Sequence, residues 1–513
     1  MSRNHVAGPE YDVVIVGGGS AGAVLAARLS ERPERSVLLI EAGPAHRIGA
    51  FPATVLNAST PGGDATTLWD VPAPDTQGTG HADTVVRAKV LGGGSAINVG
   101  VAVRALPSDF ARWTHRGLTG WTYQDVLPYY RKMETTEDGA EALHGRSGPI
   151  RIGRVPAQRS TPLHRAFVEA CLDRGFPPVD DFNGLHPEGV GQYPMNVVDG
   201  IRQSTALAYL NAEVRNRSNL RIADRTTVNR VLVERGTAVG IQTSTGTAIR
   251  AAQTVLSAGA VGSAEILLRS GIGPAIDLAE LGIPVTADLP VGRHVREHPC
   301  AYVLFASTPQ RLGTTTPPVS TLLWTRSSLA AYQEPDLHLA ASHLVHPTAF
   351  PDRCGFGFLI AVGRPEPQAH GILRLTTSNP SDPARLELNL LSHPRDLLKL
   401  IEAVHISRDI AATAPLRDLI VRESAPGPQA VSQADLAAYL RANVKPYPHL
   451  CGTTPMGTAN DPAAVVDSTG RIHGITALRV IDASIFPDIP SAATNPTVIM
   501  TAEILADRFN EST

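Results

Sequence analysis

The chain has 513 residues, 43% hydrophobic and 18% charged, and its 45 basic and 48 acidic side chains leave a formal charge of -3. That length exceeds one ordinary core and calls for two domains or one elaborate fold. The even charge balance argues against nucleic acid or an anionic membrane as partner, and no apolar run reaches the length of a membrane span.

The first element is the run Tyr11-Asp12-Val13-Val14-Ile15-Val16, a buried strand leading into Gly17-Gly18-Gly19-Ser20-Ala21-Gly22. A helix is expected from Ser20 to about Glu31, then a second strand, Ser36-Val37-Leu38-Leu39-Ile40, that ends in Glu41. Strand, glycine turn, helix and acid in this register form a dinucleotide-binding fingerprint. Gly17 permits the tight turn and Gly19 lets backbone approach a pyrophosphate. Gly22 lets the helix pack on the strand, and Glu41 is placed to bond a ribose hydroxyl. The pattern starts so near Met1 that no secretory signal is expected. Cys171, Cys300, Cys354 and Cys451 lack CxxC spacing, so a cytoplasmic protein with reduced thiols is expected.

From Pro52 to Ala82 the chain is polar and turn-rich, and a surface loop is expected. A second glycine cluster, Gly92-Gly93-Gly94-Ser95, then offers small residues whose backbone amides can crowd a ligand. The region from about Arg151 to Asn196 reads as a separate, proline-rich lobe. Thr254 to Ala260 is a third buried strand, leading into a helix from Ser263 to Ser270. Between Pro299 and Pro446, strands such as Gly371 to Leu375 mix with helices near Asp396 to Ala412 and Gln433 to Asn443. Within that region Asp336 to His346 alternates so that His338, Ser342 and His346 share one strand face. Their spacing spans too much strand for a tetrahedral site, and no metal is assigned. Leu478 to Ala483 is a fourth buried strand. Strands from the start, middle and end of the chain imply a discontinuous nucleotide domain. Locally, His449 reads as a hydrogen-bonded loop histidine, and Asn495-Pro496 as a helix cap followed by proline at the first helical position.

Together these stretches resemble the glucose–methanol–choline (GMC) family of FAD-dependent oxidoreductases over nearly the whole chain. Ala88 to Asn98, with Arg104 and Asp109 to Trp113, resembles the family's first signature, and Ser257 to Pro274 its second. Asp181 to Gly184, Arg202 with Ser204, and Glu297-His298-Pro299 fall in family order. His449 matches the family's catalytic histidine and Asn495 its second catalytic position. Leu450 and Ala264 replace usual prolines, and His294 stands where Asn is frequent. Ile97 occupies the place where members with a covalent flavin put histidine, so the resemblance implies a non-covalent FAD.

The resemblance implies an α/β fold with a discontinuous Rossmann-like FAD-binding domain, residues 1–150, 200–298 and 449–513. An inserted α+β substrate domain with a mainly antiparallel sheet would take residues 151–199 and 299–448. It also implies oxidation of a small-molecule primary or secondary alcohol by hydride transfer to flavin N5. His449 would be the base, Asn495 would bond the substrate oxygen, and oxygen or another acceptor would complete the cycle. Gly17, Gly19, Ser20, Gly22, Glu41 and Ala42 would hold the ADP half of FAD. Gly93, Gly94, Ser95 and Asn98 would surround the pyrophosphate, ribityl chain or isoalloxazine. Val228 would touch adenine, Asp482 and Ala483 would lie near the ribityl chain, and the helix starting at Pro496 would direct its N-terminus at the reduced flavin. A flavin-containing lyase of the hydroxynitrile-lyase or photodecarboxylase kind is the alternative on the same fold. The Ala-, Arg- and Pro-rich composition points to a bacterial source.

Overall fold

The computed structural model describes residues 10–74, 83–330, 334–346, 349–350, 355–363 and 366–511, so Cys354 lies outside the described residues. Among the described residues two large sheets organise the chain, of seven and eight strands. The first is built around Tyr11–Val16, which is buried from Val13 onward. A strand covered on both faces needs continuous apolar side chains and parallel partners. It finds them in Val37–Ile40 on one side and Ala248–Leu256 on the other. Leu220–Ala223 extends the sheet beyond Val37–Ile40, and Leu478–Val480 pairs in parallel with the C-terminal part of Ala248–Leu256. The N-terminal part of that long strand joins the antiparallel meander Val228–Glu234 and Thr237–Thr243. Helices Ser20–Leu29 and Thr494–Glu511, from opposite ends of the chain, pack on one another. The glycine turn after Val16 therefore sits at the carboxyl end of the parallel strands, where open α/β sheets bind ligands.

The second sheet runs Arg422–Ala425, Pro299–Ala306, Gly357–Gly363, Leu337–Ser342, Thr321–Thr325, Gly189–Gln192, Pro178–Val179, with Lys445–Pro446 as an eighth strand on the start of Pro299–Ala306, all antiparallel except the pair Gly189–Gln192 and Pro178–Val179. Helices Pro162–Asp173, Pro394–Ala411 and Gln433–Asn443 bury Phe167, Leu400, Val404 and Leu440 against Val303, Phe305 and Ile360 of this sheet. A separate core unites Val14, Leu39, Leu256, Val480 and Ile504 around the first sheet. The fold is the α/β arrangement expected, a Rossmann-like sheet beside a mainly antiparallel one. A separate hairpin of Ile372–Arg374 and Arg385–Glu387 packs Leu373 and Leu386 into the first core.

Several local expectations are corrected. Part of the stretch expected as a surface loop forms a hairpin, Leu68–Ala73 paired with Asp83–Ala88, with Val71, Ala73 and Val85 buried. Its second strand lies beyond the polar turn residues, so the pairing left no local signal. The proline-rich lobe contains the helix Pro162–Asp173, whose start is capped by Thr161 accepting from the His164 N–H. The helix after the third strand begins at Gly259 rather than Ser263, because distant Asp482 accepts from the Gly259 N–H. Strand Leu337–Ser342 ends with the Ser342 hydroxyl accepting from the Leu344 N–H, so His346 leaves the face expected to hold it with His338. Helix Thr494–Glu511 starts before Asn495, which places Asn495 and Pro496 inside its first turn rather than at a cap. Among the described residues no helix is long and apolar enough to cross a membrane.

Candidate active site

The two glycine clusters abut. Gly17 has φ +97°, and a Cβ there would lie 2.5 Å from the Ser257 carbonyl oxygen. At Gly22 a Cβ would come within 1.9 Å of the Gly17 oxygen, so only hydrogen fits. The Gly92 N–H donates to the Gly18 oxygen at 2.7 Å, and a Cβ on Gly93 would stand 2.6 Å from Gly19 Cα. Gly94 is different: nothing lies within 4 Å of where its Cβ would be, and Gly19 has no neighbour nearer than 3.7 Å. Gly17, Gly22 and Gly93 thus make room for protein, a Cβ on Gly19 would sit in ordinary contact with Gly93 and Ser257, and Gly94 borders open space.

Acidic and polar groups brace this cradle. Buried Glu41 accepts the Gly18 N–H on Oε2 and the Gly43 N–H on Oε1, both at 2.8 Å, with half-buried Ala42 between. Burial pushes its carboxyl up, opposed by those backbone bonds. Asp482 accepts from the Gly259 N–H at 2.9 Å, the Ser263 hydroxyl at 2.6 Å and the Ser484 N–H at 2.8 Å. The Ala483 carbonyl accepts from the Gly452 N–H. Ser95 turns inward: its hydroxyl donates to the Gly92 oxygen at 2.5 Å and accepts from the Thr205 N–H at 3.0 Å. Asn98 Oδ1 takes the Gly100 N–H, and its carbonyl takes Arg202 Nε. Arg202 also donates to the carbonyls of Val55, Ala96 and Asn57, stitching the second glycine loop to its surroundings. Val228 is buried at the start of the meander. Two abutting glycine turns beside a buried acid, at the carboxyl end of a parallel sheet, fit a dinucleotide's ADP portion.

His449 follows Tyr447-Pro448 and is partly buried. Its Nδ1 lies 2.9 Å from Nδ1 of His298, with the rings edge to face. Beneath them Glu297 Oε1 accepts two backbone N–H groups, those of His298 and His449, each at 2.8 Å. Arg87, from the hairpin, stands 3.8 Å from Glu297 Oε2. Burial pushes the Glu297 carboxyl up to about 7, against the pull of Arg87 and the backbone donors. Desolvation holds the His449 imidazole well below its ordinary value, and His298, His338 and Arg87 also oppose a positive charge there. His338, packed edge-on against Trp324, is pushed down to about 3 by burial and His298. Asn495 turns to the first glycine motif, its Oδ1 accepting from the Ser20 hydroxyl at 2.7 Å. The amide group of Asn495 is thereby left as the end able to donate.

Glu297 and Arg87 were not among the candidates from sequence, nor was the pairing of His298 with His449. The Glu297-His298-Pro299 run was visible, but nothing local ties it to a histidine 151 positions away. Among the described residues no three His, Cys, Asp or Glu side chains gather as a metal site.

The GMC oxidoreductase family models match residues 11–300 and 367–502. The chain is a GMC oxidoreductase. It is 36% identical to the 5-(hydroxymethyl)furfural oxidase of Methylovorus sp. (strain MP688), with 97% of this chain and 98% of that one covered. Human mitochondrial choline dehydrogenase is 35% identical, over 97% of this chain and 89% of its own. The crystal structure of pyridoxine 4-oxidase from Mesorbium loti superposes with a TM-score of 0.90 at 32% identity, covering 98% of this chain and 99% of that one. As a member of this family of flavoproteins, this GMC oxidoreductase is an FAD-dependent enzyme that oxidises alcohol CH–OH groups.

Proposed function

We propose that this GMC oxidoreductase oxidises an uncharged primary or secondary alcohol with His449 as the base and Asn495 as the group that orients the substrate oxygen. The observation that carries this reading is the arrangement of the two side chains' partners. His449 is partly buried, its imidazole is held well below its ordinary value by desolvation, and its backbone N–H donates to Glu297, while Asn495 has its carbonyl occupied by Ser20. A neutral imidazole can take the hydroxyl proton as the carbinol carbon loses its hydride, and an amide N–H can bond the substrate oxygen without competing for that proton.

Bound FAD would supply the two-electron acceptor, taking the hydride at N5. Gly17, Gly19, Ser20, Gly22, Glu41 and Ala42 would hold its ADP half, with Val228 near adenine. Gly93, Gly94, Asn98, Asp482, Ala483 and Pro496 would lie along the rest, and Ser95 would act by shaping the loop. Ile97 offers no nucleophile for a covalent flavin link, so the cofactor is held by contacts alone. The groups around His449, namely His298, Tyr447 and neutral His338, carry no negative charge, and Glu297 lies beneath them beside Arg87. That lining suits a furfuryl or pyridinyl alcohol better than choline.

The test is anaerobic. Hydroxymethylfurfural, pyridoxine, benzyl alcohol and choline are each mixed with the yellow protein, and loss of flavin absorbance is followed before and after oxygen is readmitted. Bleaching by an uncharged alcohol supports the reading, and recolouring by oxygen assigns oxygen as the acceptor. No bleaching by any of them overturns it. Acid precipitation should release all flavin into the supernatant; colour left on the pellet overturns non-covalent binding.

A further inference from the structure

We propose that His298 is a positioning residue that holds His449 in the tautomer with its proton on Nδ1, leaving Nε2 as the basic atom. The inference rests on the reading of His449 as the base and specifies which nitrogen acts and what selects it.

The two Nδ1 atoms stand 2.9 Å apart. When both imidazoles are neutral, a nitrogen-to-nitrogen contact holds one proton between them, since two protons would collide and two lone pairs would repel. In one arrangement His449 donates from Nδ1 and His298 accepts, so His449 Nε2 carries a lone pair. In the other, His298 donates and His449 already bears its proton on Nε2. Only the first can take a proton from an alcohol, because in the second the remaining lone pair of His449 faces His298. The first also needs no rearrangement: when Nε2 gains the proton, Nδ1–H still donates to His298, as imidazolium requires.

The clamp below makes this contact a built feature. Glu297 Oε1 receives the backbone N–H of both histidines at 2.8 Å, fixing two segments 151 positions apart relative to each other. The main chains at both rings are thus anchored to one oxygen atom. The edge-to-face ring arrangement, 86° between planes, keeps the two Nδ1 atoms apposed.

Nitrogen-15 NMR of the holoenzyme with labelled histidine tests this directly, with His449 assigned from its loss in a His449→Gln variant. The expected result is a neutral His449 protonated on Nδ1. In His298→Asn the amide oxygen replaces the accepting nitrogen, so the tautomer and the rate of anaerobic flavin reduction by benzyl alcohol should stay within about threefold of wild type. His298→Phe keeps a ring but no acceptor; its His449 proton should move to Nε2, and reduction should slow about tenfold or more at unchanged FAD content. A wild-type Nε2 proton overturns the inference, as does a Phe variant with unchanged tautomer and rate. The wild-type spectrum decides even if the Phe variant fails to fold. If no alcohol bleaches the flavin, the proposed function fails, and the tautomer is still read independently.

Discussion

The Ser20 hydroxyl donates to Asn495 Oδ1 at 2.7 Å, joining the first turn of helix Ser20–Leu29 to the first turn of helix Thr494–Glu511. A residue of the dinucleotide fingerprint thereby sets which end of the proposed substrate-orienting amide faces outward. Ser20→Ala should leave the fold intact and free the Asn495 amide to rotate. Flavin reduction should slow about tenfold, the equivalent of one ordinary hydrogen bond. Stopped-flow reduction at matched FAD content checks this, and an unchanged rate would remove Ser20 from the mechanism.

The lowered His449 value has a definite sign. A base acts in its neutral form, so kcat/KM should rise with pH through its pKa and then level. Because desolvation depresses that value, the acid limb should lie below the ordinary imidazole value of about 6.5. His449→Gln should reduce kcat/KM by about 10²- to 10⁴-fold. An acid limb centred above pH 7 in the wild type contradicts the assignment.

The two classes of glycine should respond differently to a single methyl group. Gly22→Ala drives a Cβ to 1.9 Å from the Gly17 oxygen, and should destabilise the protein with or without FAD by at least about 1–3 kcal/mol. Gly94→Ala meets no atom within 4 Å, so the apoprotein should melt as wild type. Its FAD affinity should nevertheless fall, since the methyl enters space proposed for the cofactor. Thermal melts of apo and holo forms, with FAD titration, separate the two; equal FAD affinity in Gly94→Ala would place the cofactor elsewhere.

Glu297 predicts a pH-dependent stability. Its folded value, raised by burial to about 7, lies above the unfolded carboxyl value near 4.3. The folded state therefore binds the proton more tightly, and this group's contribution falls as pH rises from about 4.3 to 7, then stays constant. Glu297→Gln keeps an accepting oxygen for both backbone N–H groups and lacks the titration. The stability difference between variant and wild type should move in the variant's favour as pH rises from 5 to 8, measured by denaturant unfolding. A difference independent of pH would contradict the raised value.

The family, the α/β class and the parallel strands around the fingerprint are legible in the linear chain. Those features are written in contiguous runs: apolar residues at Val13 to Val16 can only be covered on both faces, and the crowding at Gly17 and Gly22 tolerates no side chain. Helix Gln433–Asn443 was legible to the residue, because Ser432 and Asp435 form a local capping box. The hairpin Leu68–Ala73 with Asp83–Ala88 was not, since its pairing spans the polar turn residues. The surroundings of His449 and Asn495 arise from folding. Ser20 reaches Asn495 across 475 positions, and His298 reaches His449 across 151. Such contacts exist only once the sheet has brought the start, middle and end of the chain together, and side-chain hydrogen bonds act over about 3 Å of space, not along the sequence.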